Sequence, residues 1–332
     1  MVLPAARHLD GGDALHLLLA ESADRLLFLL PVAGGSGLRG LPLPVLRSWI
    51  HEYCFLGTPL LSTCDDPVRI WVAIRCELRR VSPAPLLVMP LHSSDGPVAA
   101  ALRRADAQEG LGVRESPVTS RGFVHRRPAP TYATEWIARR HLANLARRRR
   151  HLSRMLGAEV GTVDRTTVGL GEAIEQFLHL EAIGWKGRTG TALLCRPGHD
   201  RFFREMGQGF AEQGRLMFLS LQAGIQVLAQ SVALIGGRGL FGFKKAYDET
   251  FARWSPGTLL DLDVLAWFHE MRQLDWLDTC SSPDDPGGHL FGDRRPIRML
   301  LLPVSPVGGA AAAVLSTSLQ ARGHLRRVRR NT

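Results

Sequence analysis

The chain has 332 residues, of which 45% are hydrophobic and 22% are charged. These values exclude a disordered chain and are typical of a globular protein with one large domain or two ordinary ones. The net charge of +10 points to a phosphate-bearing partner, but much of it comes from two segments. Seven arginines lie in residues 139–154 and five in residues 322–330, and the rest of the chain is close to neutral. Charge alone therefore does not predict a nucleic-acid-binding protein.

The cysteines predict neither a disulfide framework nor a structural metal. Their number is odd and no two form a C-x-x-C pair: Cys54, Cys64, Cys76, Cys195 and Cys280. This usage is typical of reduced thiols in a cytosolic protein. The apolar runs at residues 26–32 and 310–315 are too short to span a bilayer. We therefore expect a cytoplasmic protein with no membrane span and no metal.

The first part of the chain, to about Arg126, has the pattern of short strands and helices separated by turns that contain Pro and Gly. Within it, the stretch FLGTPLL at residues 55–61 is predicted to be a loop that enters a buried position. Residues 114–130 contain three prolines and few large apolar residues, which is typical of a linker. No catalytic constellation of side chains is evident in this part.

A long arginine-rich helix is predicted next, from about Thr134 to Leu156. Thr134 is a suitable N-cap, and Gly157 can end the helix in the left-handed conformation. Four leucines at helical spacing form one apolar stripe, so the arginines cover the other faces: Leu142, Leu145, Leu152 and Leu156.

The second half has a clearer order of elements. A strand is predicted at residues 158–164, helices at 173–186 and 199–213, and three antiparallel strands at 215–222, 225–236 and 239–247. A helix at 256–271 and strands at 275–280 and 296–304 follow. This is the order of the acyl-CoA N-acyltransferase (GNAT) fold, an α/β (α+β) architecture.

Two strings on either side of the three strands carry a family resemblance: FLHLEAIGWKGRTGTAL (177–193) and FKKAYDETFARWSPGTLL (243–260). With RRRRHLSRMLGAEV and LDTCSSPDDPGGHLFGDRRPI, they resemble the GNAT-like acetyltransferase family named for the cellulose-biosynthesis CelD/BcsL proteins, which is related to the FemAB peptidyltransferases. The resemblance covers about residues 134–304 and is looser before them. It implies two GNAT-like halves with mixed, mainly antiparallel sheets, the first half lacking its own site, and an acetyl-CoA or other acyl-CoA donor. The chain departs from standard GNAT enzymes because it lacks their Gly-rich Q/R-x-x-G-x-G/A loop.

The three lysines of the chain, Lys186, Lys244 and Lys245, all lie in these two strings, whereas the other basic side chains besides histidine are arginines. Because side chains alternate along a strand, Lys244 and Lys245 are predicted to point to opposite faces of the sheet. An ammonium facing an apolar sheet needs a carboxylate or a bound anion as partner. We interpret the choice of lysine as steric, since a planar guanidinium demands more room. We assign Lys245 to catalysis and Lys186 and Lys244 to substrate binding.

Glu181 falls on the apolar stripe of its predicted helix, counted from Ile174 through Leu178 to Trp185. A carboxylate in that place needs a cation or has a raised pKa. Two roles stay open for Glu181, that of general base and that of partner to one of the lysines. Trp185 is either a core residue or a wall of the acceptor site.

The string SPGTLL predicts a cradle for a pyrophosphate. Ser255 is a suitable N-cap, Pro256 suits the first helical turn, and Gly257 lets a ligand approach the backbone. We assign Arg253, Ser255, Gly257 and Thr258 to donor binding. Where the third strand ends, Asp248 is a candidate proton acceptor, or a turn-forming residue, and Tyr247 a candidate donor of a proton to the leaving thiolate.

The sequence therefore predicts an N- or O-acyltransferase that moves an acyl group, expected to be acetyl, from CoA to an amine or hydroxyl of a sugar, a polysaccharide precursor or a small metabolite. Two alternatives stay open: a FemAB-type transferase that uses aminoacyl-tRNA, which the arginine helix favours, and a non-enzymatic nucleic-acid-binding protein. The predicted domains are a degenerate N-terminal half (1–126), a linker and arginine-rich helix (127–157), a catalytic half (158–304) and a basic, flexible tail (305–332).

Overall fold

The computed structural model of the protein describes residues 1–9, 12–38, 41–62, 65–127, 132–282 and 286–331. The helices are α1 (Val2–His8), α2 (Pro67–Val81), α3 (Gly96–Glu109), α4 (Tyr132–Trp136), α5 (Arg139–Leu156), α6 (Leu170–Ile183), α7 (Trp185–Arg188), α8 (His199–Glu212), α9 (Pro256–Glu270) and α10 (Pro306–Asn331). The strands are β1 (His16–Ser22), β2 (Arg25–Leu38), β3 (Leu41–Ser48), β4 (Leu60–Leu61), β5 (Leu86–Ser93), β6 (Arg114–Glu115), β7 (Thr119–His125), β8 (Val160–Asp164), β9 (Leu216–Ala223), β10 (Gln226–Gly236), β11 (Gly239–Tyr247), β12 (Trp276–Asp278) and β13 (Asp293–Pro303).

The chain divides into two compact units. The first unit comprises residues 1, 3–9 and 121–294, and the second comprises residues 2, 10–120 and 295–332. The units do not follow one another along the chain, and residues 295–304, which the sequence groups with the catalytic half, belong to the second unit. All the residues that the sequence nominates for a site belong to the first unit.

The sheet of the first unit has the strand order β7-β12-β11-β10-β9-β8. β12 runs parallel to β11, and the pairs β12–β7, β11–β10, β10–β9 and β9–β8 are antiparallel. One face carries α5 and α9, whose leucines pack against Met217 and Leu219. The other face carries α6 and α8, which meet the sheet through Phe177, Phe203 and Phe218. Both faces of the central strands are thus buried, which explains their nearly continuous apolar sequences.

The second unit has a sheet of similar design, with the order β1-β2-β3-β5-β13 and with β4 and β6 paired to β2 and β13. β3 and β5 are parallel. Helices α2 and α3 cover one face through a core that includes Phe28, Trp71 and Leu102. Helix α10 covers the other face with Ala312, Leu315 and Leu319. The segment expected to be a flexible tail therefore forms a helix. Among the side chains that the structure describes there, an apolar stripe packs into the core.

The linker prediction for residues 114–130 is wrong over residues 119–125. These residues form β7, which pairs with β12 and has four consecutive buried residues, Arg121 to Val124. The pattern was hidden because only Phe123 and Val124 are large and apolar. A Cβ atom on Gly122 would lie 3.0 Å from the side chain of Thr279, the residue after β12, so the close approach of the two segments leaves no room for a side chain there.

Two predicted helices are interrupted in the structure. The helix expected from Thr134 is split into α4 and α5 at Ala138, whose ψ of 131° is not helical, and Thr134 lies inside α4. Gly157, with φ of 65°, ends α5 as predicted. The helix expected to end at Lys186 stops at Ile183, since Gly184 is extended and α7 begins after it.

Candidate active site

Glu181 lies at the centre of a buried charge network. Its side chain is fully buried, and Oε1 accepts hydrogen bonds from Lys244 Nζ at 2.7 Å and from Lys186 Nζ at 3.0 Å. Oε2 accepts the backbone N–H of Leu193 at 2.9 Å. Helix α6 places the carboxylate over the sheet because its apolar stripe is buried, as the sequence predicts. The lysines that share the carboxylate come from α7 and from β11, so the network joins three elements.

The pKa of Glu181 reflects this competition between burial and charge. Burial raises the pKa of the carboxyl, but the ammonium groups of Lys186 and Lys244 and the N–H of Leu193 together lower it below the ordinary glutamate value. The group is therefore a carboxylate at neutral pH, with both oxygens already accepting hydrogen bonds. Of the two roles left open by the sequence, this arrangement favours charge pairing over proton abstraction.

The opposite orientations predicted for Lys244 and Lys245 are confirmed. Lys244 reaches Glu181 on the α6 face, and Lys245 Nζ donates to Asp261 Oδ2 at 2.5 Å on the α9 face. Each ammonium thus has a carboxylate partner, as burial demands. The alternation of side chains between the two faces of the sheet fails at Phe243, because the register between β10 and β11 shifts between Val232 and Ala233. Phe243 occupies this bulge and stacks on Phe203 of α8, on the same face as Lys244.

Asp261 is the site residue that the sequence analysis missed. It lies on α9 with 8% of its surface exposed, in the run LLDLDVL, whose other acid is Asp263. An acid in the buried stripe of a helix was the signal, the same one that drew attention to Glu181. The pair Lys245–Asp261 repeats on one face of the sheet what Lys244–Glu181 forms on the other.

The edge of β11 that pairs with β12 loses this partner before the C-terminal end of the strand. β12 pairs with β11 only from Gly239 to Phe241, and the next residue of that chain segment, Thr279, bonds instead to Gly122 of β7. On the β10 side, Asp248 N–H donates to Leu228 O at 2.9 Å, directly opposite it in the register.

Because hydrogen-bonded pairs alternate in an antiparallel ladder, Ala246 and Lys244 direct their backbone groups to β10. Lys245 and Tyr247 direct theirs to the other side, where β12 has ended. We call this side of β11, from Phe243 to Tyr247, the open edge. One of its groups is used within the protein, since Lys186 Nζ donates to the carbonyl oxygen of Lys245 at 3.0 Å.

Helix α9 begins beside the open edge with an unusual residue. Ser255 has φ of 56° and ψ of 54°, the left-handed conformation that a residue with a Cβ atom adopts at a cost. Its side chain makes no cap hydrogen bond to the helix and instead accepts one from Arg148 Nη1 of α5. Ser255 therefore occupies the predicted N-cap position, but its side chain does not make the hydrogen bond to the helix that an N-cap residue usually makes. The first turn of α9 keeps its positive dipole end without a side-chain acceptor from Ser255.

The other predicted donor-binding residues lie around this helix start. Gly257 is buried, and a Cβ atom there would lie 3.5 Å from the Tyr247 ring and 3.7 Å from the Lys245 side chain. Thr258 N–H donates to Ser255 O at 3.0 Å. Arg253 is exposed and stacks its guanidinium 3.7 Å from the Trp254 ring centroid. The structure thus brings Lys245, Tyr247 and Gly257 together, whereas Arg253 points at an aromatic ring.

The acids at the end of β11 shape the turn that follows. Asp248 Oδ1 accepts hydrogen bonds from Thr250 N at 2.9 Å and Oγ1 at 2.7 Å, so the residue has the turn-forming role that the sequence left open. Glu249 accepts the N–H of Trp185 and a guanidinium N–H of Arg188, both at 2.6 Å. These two bonds lower the pKa of Glu249, the bond from Arg188 more than that from Trp185.

Trp185 is not a core residue. Its side chain is 50% exposed at the start of α7, and the ring centroid lies 6.0 Å from Lys186 Nζ. The helical count from Ile174 fails at this residue because Gly184 separates α6 from α7. The core placement of Trp185 is therefore wrong, and its role as a wall of the acceptor site stays a prediction.

The matching place in the second unit is closed by the chain itself. β3 and β5 are parallel only at Val45–Arg47 and Leu86–Val88, and the loop predicted to enter a buried position follows β3. Gly57 N–H donates to Leu91 O at 3.1 Å, and a Cβ atom on Gly57 would lie 2.2 Å from Pro90 O. The following helix, α2, is capped by the Asp66 carboxylate, which accepts two backbone N–H groups. In the second unit, protein groups therefore occupy the strand edge and the helix start that correspond to the open edge of β11 and the start of α9 in the first unit.

Other features of the described residues do not add to this site. A hollow of about 600 Å³ lies along α5 and is lined by none of the predicted site residues. In the part of the chain that the structure describes, no group of three or more acidic, histidine or cysteine side chains is arranged to hold a metal. No helix there is long and apolar enough to cross a membrane.

Comparisons with known proteins agree on the fold. A family model described as "Acetyltransferase (GNAT) domain" matches residues 139–285. The crystal structure of FemX is 8% identical, with 92% of this chain and 90% of that chain covered and a TM-score of 0.55. The C-terminal domain of a putative lysylphosphatidylglycerol synthetase from Agrobacterium fabrum is 11% identical, with coverage of 92% and 88% and a TM-score of 0.54. A conserved protein of unknown function from Bacteroides thetaiotaomicron VPI-5482 is 10% identical, with coverage of 87% of both chains and a TM-score of 0.54. Curated proteins give no match.

The chain therefore has the GNAT acyltransferase fold, and the fold class expected from the order of elements is confirmed. At identities near 10% the likeness to the solved structures shows the fold alone. The narrower resemblance to the CelD/BcsL family stays a prediction.

Proposed function

We propose that the protein transfers an acyl group, expected to be acetyl, from a coenzyme A thioester to an amine or hydroxyl of a sugar, a polysaccharide precursor or a small metabolite. The observation that carries this proposal is the pairing of the open edge of β11 with the start of α9 at Ser255. An extended amide chain can add to such an edge by main-chain hydrogen bonds. A diphosphate suits the positive end of the helix next to it.

The residues present fit this donor in two respects and differ in one. The N–H groups of Lys245 and Tyr247 face the open edge, and the side chain of Ser255 makes no hydrogen bond to the helix N–H groups. The chain has no Gly-rich loop before α9. We assign part of that loop's role to Arg148, whose guanidinium reaches the hydroxyl of Ser255 from α5. Arg253 and Thr258 are assigned to the edge of the same subsite.

In the transfer, the acceptor nitrogen or oxygen forms a bond to the acyl carbon as the carbon–sulfur bond breaks. We assign the oxyanion to the backbone N–H groups of the open edge, with Lys245 contributing positive charge. Asp248 is the proposed proton acceptor, because only its Oδ1 has partners among the described residues. Tyr247 is the proposed proton donor to the thiolate. Glu181 is assigned to holding Lys186 and Lys244 in place, and Trp185 to a wall of the acceptor site.

Calorimetry with acetyl-CoA tests this proposal. We expect binding to the unmodified protein, and weaker binding to Lys245→Ala and Ser255→Ala, which alter the open edge and the helix start. Arg104→Ala, an exposed residue of the second unit, is the control and should bind as the unmodified protein does. A lack of binding heat for the unmodified protein contradicts the proposal.

A second candidate function is FemAB-type transfer from an aminoacyl-tRNA. It is favoured by helix α5, which has no acidic residue and carries five arginines that are exposed: Arg139, Arg140, Arg147, Arg150 and Arg154. Clustered cations of this kind suit a phosphodiester backbone, and binding should then weaken steeply with salt. In the calorimetric experiment, heat with charged tRNA and none with acetyl-CoA would select this function.

A further inference from the structure

An exposed arginine covers a buried tryptophan directly before the start of α9. Trp254 ends a short 3₁₀ helix, Glu249–Trp254, and belongs to the core of the first unit with 9% of its surface exposed. The guanidinium carbon of Arg253 lies 3.7 Å from the centroid of its ring. At this distance the guanidinium lies against the face of the indole, where the two planar groups stack. Since Arg253 is exposed, the outer side of its guanidinium is accessible to a ligand.

The tryptophan under Arg253 is fixed by its other neighbours. The His151 ring of α5 lies nearly parallel to the Trp254 ring, with centroids 5.7 Å apart and an interplanar angle of 23°. The Phe251 ring centroid lies 6.1 Å away. His151 follows Arg148, which bonds to the start of α9, by three positions, so the two lie on one side of α5. Helix α5 therefore supports both the tryptophan and the helix start that follows it.

The charge of Arg253 is not used in an ion pair. Among the residues that the structure describes, no carboxylate pairs with it, whereas Arg149 on α5 has Asp263 at 2.7 Å. A phosphate or carboxylate binds to the N–H groups at the edge of a guanidinium, but an aromatic ring binds to its face. The stack on Trp254 fixes the orientation of that face. The arrangement therefore suits a planar ring such as a nucleobase, which stacks readily on an arginine plane.

The position of this stack matches the far half of the proposed donor. In coenzyme A, the diphosphate joins the pantetheine arm to an adenosine. Gly257, in the first turn of α9, lies toward the open edge, since a Cβ atom there would be 3.5 Å from the Tyr247 ring. Trp254 instead lies next to His151 of α5. A diphosphate at the helix start thus has the open edge on one side and the Arg253–Trp254 stack on another.

We propose that the guanidinium of Arg253, held on the face of Trp254, binds the adenine base of the donor by stacking. The pantetheine arm then lies along the open edge, and the base lies on the side of α5. This inference rests on the proposed coenzyme A donor and adds a subsite for the half of the donor that does not react.

Calorimetry with coenzyme A, 3′-dephospho-coenzyme A and 4′-phosphopantetheine, which lacks the adenosine, tests this inference. Arg253→Met removes the planar cation, so it should weaken binding of the first two ligands by about tenfold and leave the third unchanged. Arg253→Lys should lose most of the same affinity, because an ammonium keeps the charge without the plane. Arg215→Met is the matched control, since it removes another exposed guanidinium, 5.3 Å from the Phe210 ring centroid, and should bind all three ligands as the unmodified protein does.

The outcomes separate this inference from the proposed function. A loss in Arg253→Met that spares 3′-dephospho-coenzyme A assigns Arg253 to the 3′-phosphate, and a loss that extends to 4′-phosphopantetheine assigns it to the diphosphate. Either result overturns the stacking, as does full affinity in Arg253→Lys or Arg253→Met. If the unmodified protein binds none of the three ligands, the proposed function fails and this inference fails with it.

Discussion

At the scale of single residues, the lysines are explained by the carboxylates they meet. Lys244 and Lys186 share Glu181, and Lys245 meets Asp261 on the opposite face of the sheet. Lys244 and Lys245 lie on β11 itself, and Lys186 reaches from α7 to the Lys245 carbonyl of that strand. Lysine suits such a place because its charge is compact, whereas the fork of arginine needs a wider one.

Removal of the Glu181 carboxylate should strongly destabilise the protein. Glu181→Ala leaves Lys186 and Lys244 largely buried without their shared carboxylate, so we expect the free energy of unfolding to fall by about 3–5 kcal/mol. Glu172→Ala, an exposed salt-bridge residue on the same helix, should cost at most about 1 kcal/mol. Urea denaturation measures both, and equal losses in the two variants would contradict the buried network.

The stabilisation from Glu181 should depend on pH in a defined direction. Its pKa is lowered in the folded state, so its contribution is complete above the ordinary glutamate pKa and is lost as pH falls through the lowered value. The difference in unfolding free energy between the unmodified protein and Glu181→Gln should therefore shrink below about pH 4. A difference that grows on acidification would mean that the pKa is raised instead.

At the scale of elements, the two units differ in how their comparable helices begin. Asp66 caps α2 with its carboxylate, whereas Ser255 leaves α9 without a side-chain cap and is left-handed. In the second unit, the place where β3 and β5 stop pairing is also filled, by the segment around Gly57. These differences explain in physical terms why the donor is assigned to the first unit.

Ser255→Gly should separate stability from binding. Glycine adopts the left-handed conformation without strain, so we expect stability to rise by about 1 kcal/mol. Donor affinity should fall, because the hydroxyl that accepts from Arg148 is lost. Ala23→Gly, at another positive φ in the second unit, should show the gain in stability alone. If both variants bind the donor equally well, Ser255 has no part in the site.

Gly57→Ala should destabilise the second unit by about 1–3 kcal/mol, because the added Cβ atom would meet the Pro90 carbonyl at 2.2 Å. Gly34→Ala is the matched control, since nothing lies within 4 Å of the added atom. Thermal unfolding of the two variants gives the comparison. Equal midpoints would show that the loop at residues 55–61 is not tightly packed at the place where β3 and β5 stop pairing.

The sequence predicted those elements whose pattern is local. The three antiparallel strands and α9 follow from apolar runs and a Ser-Pro-Gly start, and the burial of Glu181 follows from its helical stripe. The features that were missed depend on contacts between distant segments. Residues 119–125 form a strand by pairing with segments far away in the sequence, such as β12, and the Arg148–Ser255 contact joins residues 107 positions apart. The bulge at Phe243 likewise has no marker within the strand.

At the scale of the whole molecule, the arginines of α5 fall into two groups. Arg148 and Arg149 turn toward α9, where they bond to Ser255 and Asp263. The five exposed arginines named above give the molecule much of its positive charge. The basic character of the chain therefore does not by itself locate the donor site.

Replacement of Arg140, Arg147 and Arg154 by Gln should leave the affinity for acetyl-CoA within about twofold at physiological salt, where distant exposed charges are screened. Arg148→Gln should lower that affinity, since Arg148 reaches the helix start directly. Calorimetry at low and physiological salt measures both variants. If the triple variant loses acetyl-CoA while Arg148→Gln keeps it, the exposed face of α5 and not the start of α9 holds the donor, which contradicts the proposed site.

The central claim is that the donor lies along the open edge of β11 and at the start of α9, and amide hydrogen exchange with and without acetyl-CoA tests it most directly. We predict slower exchange at residues 243–247 and 255–259, including the N–H groups of Lys245 and Tyr247. Exchange over residues 55–61 of the second unit should not change. Binding of acetyl-CoA without protection of β11 and α9, or with protection elsewhere in the chain, would contradict the account.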